Sequence, residues 1–216
     1  MSTEHLKKRV GASLKSALSS LTLPDEISKK VTSKMRLEAT LRSGAIVTLA
    51  CADIASGRPY GSYGLYWVLS IKGGPTEDVM TKAGLAAAKS WSGPGFLSVT
   101  SHSLERPSHF EVTPTTDTDQ LAVAIATSME RRALPLIAAF EEQPELGADL
   151  LLTGLPLKVR NPFTTCVILL MRAKREDRIA EILAAAPGNP AFYDFAACPD
   201  PETQIVEPLR AAFAAG

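Results

Sequence analysis

MRLEATLRSGAIVTLACA, residues 35–52, decides the fold class. Met35, Leu37, Ala39 and Leu41 alternate with Arg36, Glu38, Thr40 and Arg42. A period of two puts the apolar set on one face of a strand. Ser43-Gly44 supplies a turn, and Ala45–Ala52, with Ile46, Val47 and Leu49, reads as the returning strand. Periodicity alone also admits a helix over 35–42, but only a hairpin explains the glycine.

Upstream, Leu6, Val10, Leu14 and Leu18 recur every fourth position, predicting an amphipathic helix over roughly 4–21. Pro24-Asp25 suggests the start of a short helix reaching Ser33. Downstream, Ser62–Lys72 is rich in aromatic and β-branched residues and reads as a third strand. Glu77–Trp91 reads as a helix crossing the meander, broken by Gly93-Pro94-Gly95. Phe96–Thr100 and Ser108–Thr113 complete a meander of about five strands.

After Asp117 the period changes to 3.6. Asp117 with Gln120 resembles a capping box, and Leu121, Ile125, Met129, Leu136 and Phe140 form one stripe. Pro135 falls inside it and predicts a kink near Arg131–Arg132. Asn161-Pro162 reads as a cap with proline at the first helical position. A second helix holds Ile179, Ile182 and Leu183; residues 187–201 read as loop, and a last helix lies near Pro208–Phe213. The fold class is therefore α+β: an N-terminal helix, an antiparallel meander with one crossing helix, and a helical C-terminal third. The 216 residues are read as a single domain, with 1–115 as helix plus sheet and 116–216 as the helical part.

A chain that is 45% hydrophobic and 21% charged can bury a core without metals or disulfides. Net charge is zero by count, which disfavours a nucleic-acid binder dependent on neutralising phosphates. The charge is uneven, however. Residues 1–36 carry eight bases against three acids, and residues 176–216 carry seven acids against two bases. Solvated helix faces explain this more simply than a functional basic arm. Nucleic-acid binding through the N-terminal helix stays an alternative. Cys51, Cys166 and Cys198 are odd in number and far apart, which suits a reducing compartment and core packing. With no apolar run long enough to span a bilayer, a cytoplasmic protein without membrane contact is expected.

Two stretches could carry function. Arg58, Tyr60, Tyr63, Tyr66 and Trp67 fall within ten positions, interleaved with Gly57, Gly61 and Gly64. Tyr, Trp and Arg dominate interfaces because they bury much area at little entropic cost. Alternation on a strand would instead pack Tyr63 and Trp67 in the core, which leaves Tyr60 and Tyr66 as the better surface candidates. The same loop lacks a GxGxxG pattern and the lysine of a P-loop. The second stretch places His102, Glu105, His109 and Glu111 within ten residues, the donor types of a zinc site or a small hydrolase. On a strand His109 and Glu111 share one face, as on any solvated sheet, and no HExxH spacing is present. No cofactor, metal or catalytic residue is therefore expected.

The order of a lone helix, a meander and a capped helix carrying Arg132-Ala133-Leu134-Pro135-Leu136-Ile137 resembles bacterial families of uncharacterised domains. Those families include immunity-type proteins encoded beside toxins. The resemblance covers about half the chain and transfers no functional residue. It implies a neutral or acidic cytosolic protein that binds another protein or itself and performs no reaction.

Overall fold

The computed structural model describes residues 3–32, 35–54, 61–85, 95–104 and 109–215. Helix α1 spans Thr3–Ser20. Leu6, Val10, Leu14 and Leu18 form its buried stripe, as their spacing predicts. The strands are β1 (Glu26–Thr32), β2 (Arg36–Leu41), β3 (Ile46–Ile54), β4 (Tyr63–Lys72), β5 (Leu97–Thr100), β6 (Phe110–Val112) and β7 (Lys158–Val159). They form one sheet in the order β1-β2-β3-β4-β5-β7, with β6 paired to β4. The class is α+β with an antiparallel sheet. It has two strands more than the sequence suggests, β1 and β7.

In the β2–β3 hairpin Leu37 faces Leu49 and Ala39 faces Val47, so one face of both strands is buried. Residues 25–33, read above as a short helix, include β1 instead. Asp25 takes a left-handed turn at φ 49°, and Leu23 N donates to the Glu26 carboxylate at 3.0 Å. Behind that corner Ile27, Val31 and Thr32 are β-branched, and β1 pairs along all of β2. Periodicity could not see this pairing.

Contacts group the chain into two compact units. Unit 1 holds Met1–Arg42, Ile46–Ser70 and Val99–Pro135; unit 2 holds Ser43–Ala45, Ile71–Ser98 and Leu136–Gly216. In unit 1 the fully buried Trp67 donates from Nε1 to Ser128 Oγ at 2.6 Å. Ser128 lies on α4 (Thr118–Glu141). That helix opens on Asp117, whose Oδ1 accepts from the amides of Asp119 and Gln120 at 3.0 and 3.1 Å. The Asp117 half of the capping box read from sequence is therefore made. Pro135 lies inside α4, where it offers no amide to the Arg131 carbonyl. The helix runs on through Arg131 and Arg132 and ends at Glu141.

In unit 2, α2 spans Gly74–Lys82 and is followed by α5 (Pro144–Leu152), α6 (Pro162–Arg172), α7 (Ile179–Ala185), α8 (Tyr193–Ala196) and α9 (Glu207–Ala214). The helix read over 77–91 starts earlier and stops sooner. Gly84 adopts φ 71°, with Leu85 N bonded to Met80 O and Gly84 N to Thr81 O. That is the Schellman arrangement, for which glycine is the favoured residue. Residues 86–94 lie outside those described. In α5, Gly147 allows close approach, since a Cβ there would sit 2.8 Å from the Ala139 carbonyl oxygen. Every residue of α6 from Pro162 to Met171 is buried. The helical final third is interrupted by β7, where Leu97–Ser98 pair with Val159–Lys158.

Arg172, ending α6, donates to the carbonyls of Phe140 and Glu141 at 2.9 and 2.8 Å and to Thr76 Oγ1 at 2.9 Å. It caps the C-terminal end of α4, where a cation suits the free carbonyls. Beside it Glu141 is buried; Ser43 donates to its Oε2 at 2.7 Å while Oε1 has no hydrogen-bond partner among the described residues. Burial holds this carboxyl above the ordinary carboxylate range, against the opposing pull of Ser43 and Arg172. The native state thus binds this proton more tightly than the unfolded chain does. Its contribution is fully present below the unfolded value of about 4.3 and is lost as pH rises through the raised folded value. Urea unfolding across pH 4 to 7 should therefore show Glu141→Gln gaining on the wild type as pH rises. Parallel stability curves would contradict this account.

Candidate functional site

The two sequence-selected stretches meet in unit 1. The buried apolar side chains of β4 are Tyr63, Leu65, Trp67, Leu69 and Ile71, the odd face of the strand, and Gly64 and Ser70 on the even face are buried too. Tyr63 and Trp67 are 2% and 0% exposed, so both side chains pack in the core, as alternation on the strand predicts. Burial, with Asp53 adding to it, pushes the Tyr63 phenol up to about 12. Lys7 of α1 ion-pairs with Asp53 and stands 5.3 Å from the Tyr63 ring centroid. That pair holds the Asp53 carboxyl below the usual range. One cation of the basic N-terminal helix is thereby engaged within the fold. Arg58 and Tyr60 lie outside the described residues.

Tyr66 is on the even face and half-buried. Its ring packs on His102 with centroids 4.5 Å apart and planes tilted by 36°. His102 belongs to the four-residue helical turn α3 (Ser101–Leu104), directly after β5. That turn falls between the strands read at 96–100 and 108–113, in a stretch to which the sequence reading gave no element. His109, just before β6, brings its ring centroid to 6.4 Å from His102. β6 pairs with β4 so that Glu111 faces Gly64 and Phe110 faces Leu65, and Glu111 is exposed. Tyr66, His102 and His109 thus form a contiguous aromatic patch. Two imidazoles sharing a tetrahedral zinc need centroids about 5 Å apart, from Zn–N lengths near 2.0–2.1 Å. The His102–His109 pair stands wider than that. No group of three metal-ligand side chains occurs among the described residues, and Glu105 lies outside them.

A second polar cluster, in unit 2, was missed by sequence reasoning. A cavity of about 410 Å³ is lined by Asn161, Thr164, Tyr193, Asp194, Cys198 and Gln204, among others. Asn161 was expected to cap α6. It sits at φ 45° and makes no side-chain cap; its Nδ2 donates to the Leu85 carbonyl at 3.3 Å. Asp194 caps the helix instead. Its carboxylate accepts from Phe163 N at 3.0 Å, Thr164 N at 2.9 Å and Thr164 Oγ1 at 2.8 Å. Tyr193 Oη accepts from Asn161 N at 3.0 Å and donates to the Val159 carbonyl at 3.3 Å. Phe192 and Phe195 flank the cap edge-on to Phe163, at 5.8 and 5.0 Å. These groups spend their hydrogen bonds on one another, so the cluster is a latch for α6. The only signal for it in the sequence was the aromatic density of 192–195.

The thiols of Cys51 and Cys166 are pushed up to about 12 by burial, which suppresses the nucleophilic thiolate. Cys198 is half-buried and lies 3.2 Å from Gln204 Oε1. No helix among the described residues is long and apolar enough to cross a membrane.

No protein-family model, curated protein or solved structure matches this chain. The immunity-type resemblance gains no support from these comparisons.

Two outcomes are expected. Asp194→Ala should cost about 1–2 kcal/mol in chemical unfolding, as loss of a cap does, while Asp194→Asn should retain most of it; equal effects would remove the capping account. Purified protein should carry far less than one zinc per chain by elemental analysis. Equimolar zinc that disappears in a His102→Ala, His109→Ala variant would overturn the reading of the histidines as surface rings.

Proposed function

We propose that this chain is a non-enzymatic protein-binding module with Tyr66 as the anchor of its contact surface. One observation carries the reading: the half-buried Tyr66 ring rests on His102 at 4.5 Å. A ring already held in place loses little freedom when a partner covers it, so its buried area converts efficiently into affinity. His109 extends the patch. The fold beneath is stiff, since Trp67 on the opposite face of β4 is anchored to Ser128. A cytosolic setting accords with three free cysteines. An accessory or immunity-type protein is one form such a module takes.

A photoreactive phenylalanine analogue at position 66 should crosslink a discrete protein, or a second copy of the chain. The same analogue at the exposed position 207 should not. Against the partner so identified, Tyr66→Ala should raise Kd about tenfold, within the range for an interface tyrosine. Its melting temperature should move by only a few degrees. A large loss of stability with unchanged Kd would leave Tyr66 as a packing residue only.

A further inference from the structure

Strand β1 lies at one end of the sheet order, and the strand at the other end, β7, has two residues. β1 has seven residues and, among the described residues, pairs with β2 alone. Alternate residues of an antiparallel edge strand turn their N–H and C=O groups away from the neighbour. Among the described residues, no backbone group of 27–32 bonds outside the β1–β2 ladder. The register shifts between Glu26 and Ser28, which makes Ile27 a bulged residue. It is 64% exposed, one of the few large apolar residues left to solvent among those described.

Charge narrows what can pair there. Lys29 is occupied by Glu26 and the Leu21 carbonyl. Lys30 is exposed and faces Glu38, but Glu38 is already bound to Arg36 at 2.8 Å. Lys30 therefore makes no ion pair among the described residues, and neither do the exposed Lys8 and Lys15 of α1. Pairing of two copies centred on Lys29 and Lys30 would set ammonium groups opposite each other, which is unfavourable. An incoming acidic strand reverses that sign.

We infer that β1 is a docking edge for an extended acidic segment of another protein, which adds to the sheet as a further strand. The added backbone ladder supplies affinity, Ile27 offers an apolar contact at the bulge, and Lys30 selects for carboxylates. The inference rests on the protein-binding reading but not on Tyr66, which lies on β4.

The test uses the full chain and labelled peptides of about nine residues, long enough to span β1, that alternate Glu with Val, Ile or Thr. Lysine-for-glutamate versions and single-stranded oligothymidylate serve as comparators. Fluorescence polarisation should show the acidic peptides binding at least about tenfold tighter than the basic ones. Lys30→Glu should erase that difference, while Tyr66→Ala leaves it intact. Amide hydrogen exchange should slow at residues 27–32 on addition of acidic peptide, a signature that surface charge attraction alone does not produce. Absence of binding, binding without that protection, or preference for oligothymidylate would each overturn the inference. Acidic-peptide binding lost in Tyr66→Ala but kept in Lys30→Glu would overturn it too, while sparing the protein-binding reading.

Discussion

Helix α6 is buried from Pro162 through Met171, and a buried helix cannot leave its terminal amides and carbonyls to water. Both ends must find partners within the protein. At the start, the local residue Asn161 is held in a left-handed conformation and supplies no cap, so Asp194 arrives from thirty residues onward. At the end, Lys174 N donates to Met171 O and Arg175 N to Leu170 O, so the following turn meets the α6 carbonyls, while the Arg172 guanidinium meets the last carbonyls of α4. The segment 192–195 therefore lies over the α6 N-terminus, and α4 ends beside the α6 C-terminus. Glu141 Oε1, without a hydrogen-bond partner among the described residues, is the cost of placing a carboxylate where those ends meet.

Unit 1 solves a different problem. An antiparallel sheet needs cover on one face only, and the alternation of β2, β3 and β4 sorts side chains between covered and open faces. Trp67 and Tyr66 are neighbours in sequence with opposite fates. One is sealed in the core with its indole donor satisfied by Ser128; the other rests half-buried against His102. Lys7 with Asp53 ties α1 to the end of β3. The features left open in this unit are an aromatic patch and a long edge strand, and both are ordinary means of engaging another protein chain.

Much of the architecture was legible locally. The α1 stripe, the β2–β3 hairpin and the Asp117 cap each depend on residues within a few positions of one another, so periodicity and turn chemistry suffice. The burial of Tyr63 and Trp67 was half legible, because alternation along β4 already separated them from Tyr66. The strand β1 was not. EISKKVT carries two adjacent lysines and only a weak alternation, and it becomes a strand because β2 presents a ladder to it. The early end of α2 could have been read from Gly84, whose left-handed conformation the Schellman turn requires.

The sequence by itself determined the α+β class, the apolar faces of its long elements and the absence of recognisable catalytic spacing, since all of these are written at short range. Only the tertiary structure decided which donors and acceptors meet across distance. It brought Asp194 rather than Asn161 to the α6 amides, set His102 on Tyr66, and paired Glu38 with Arg36 rather than with the facing Lys30. The first two are pairings between residues far apart in the chain, and the third is a choice between partners on the same strand and on its neighbour. Their energies depend on burial and distance, which no local pattern encodes.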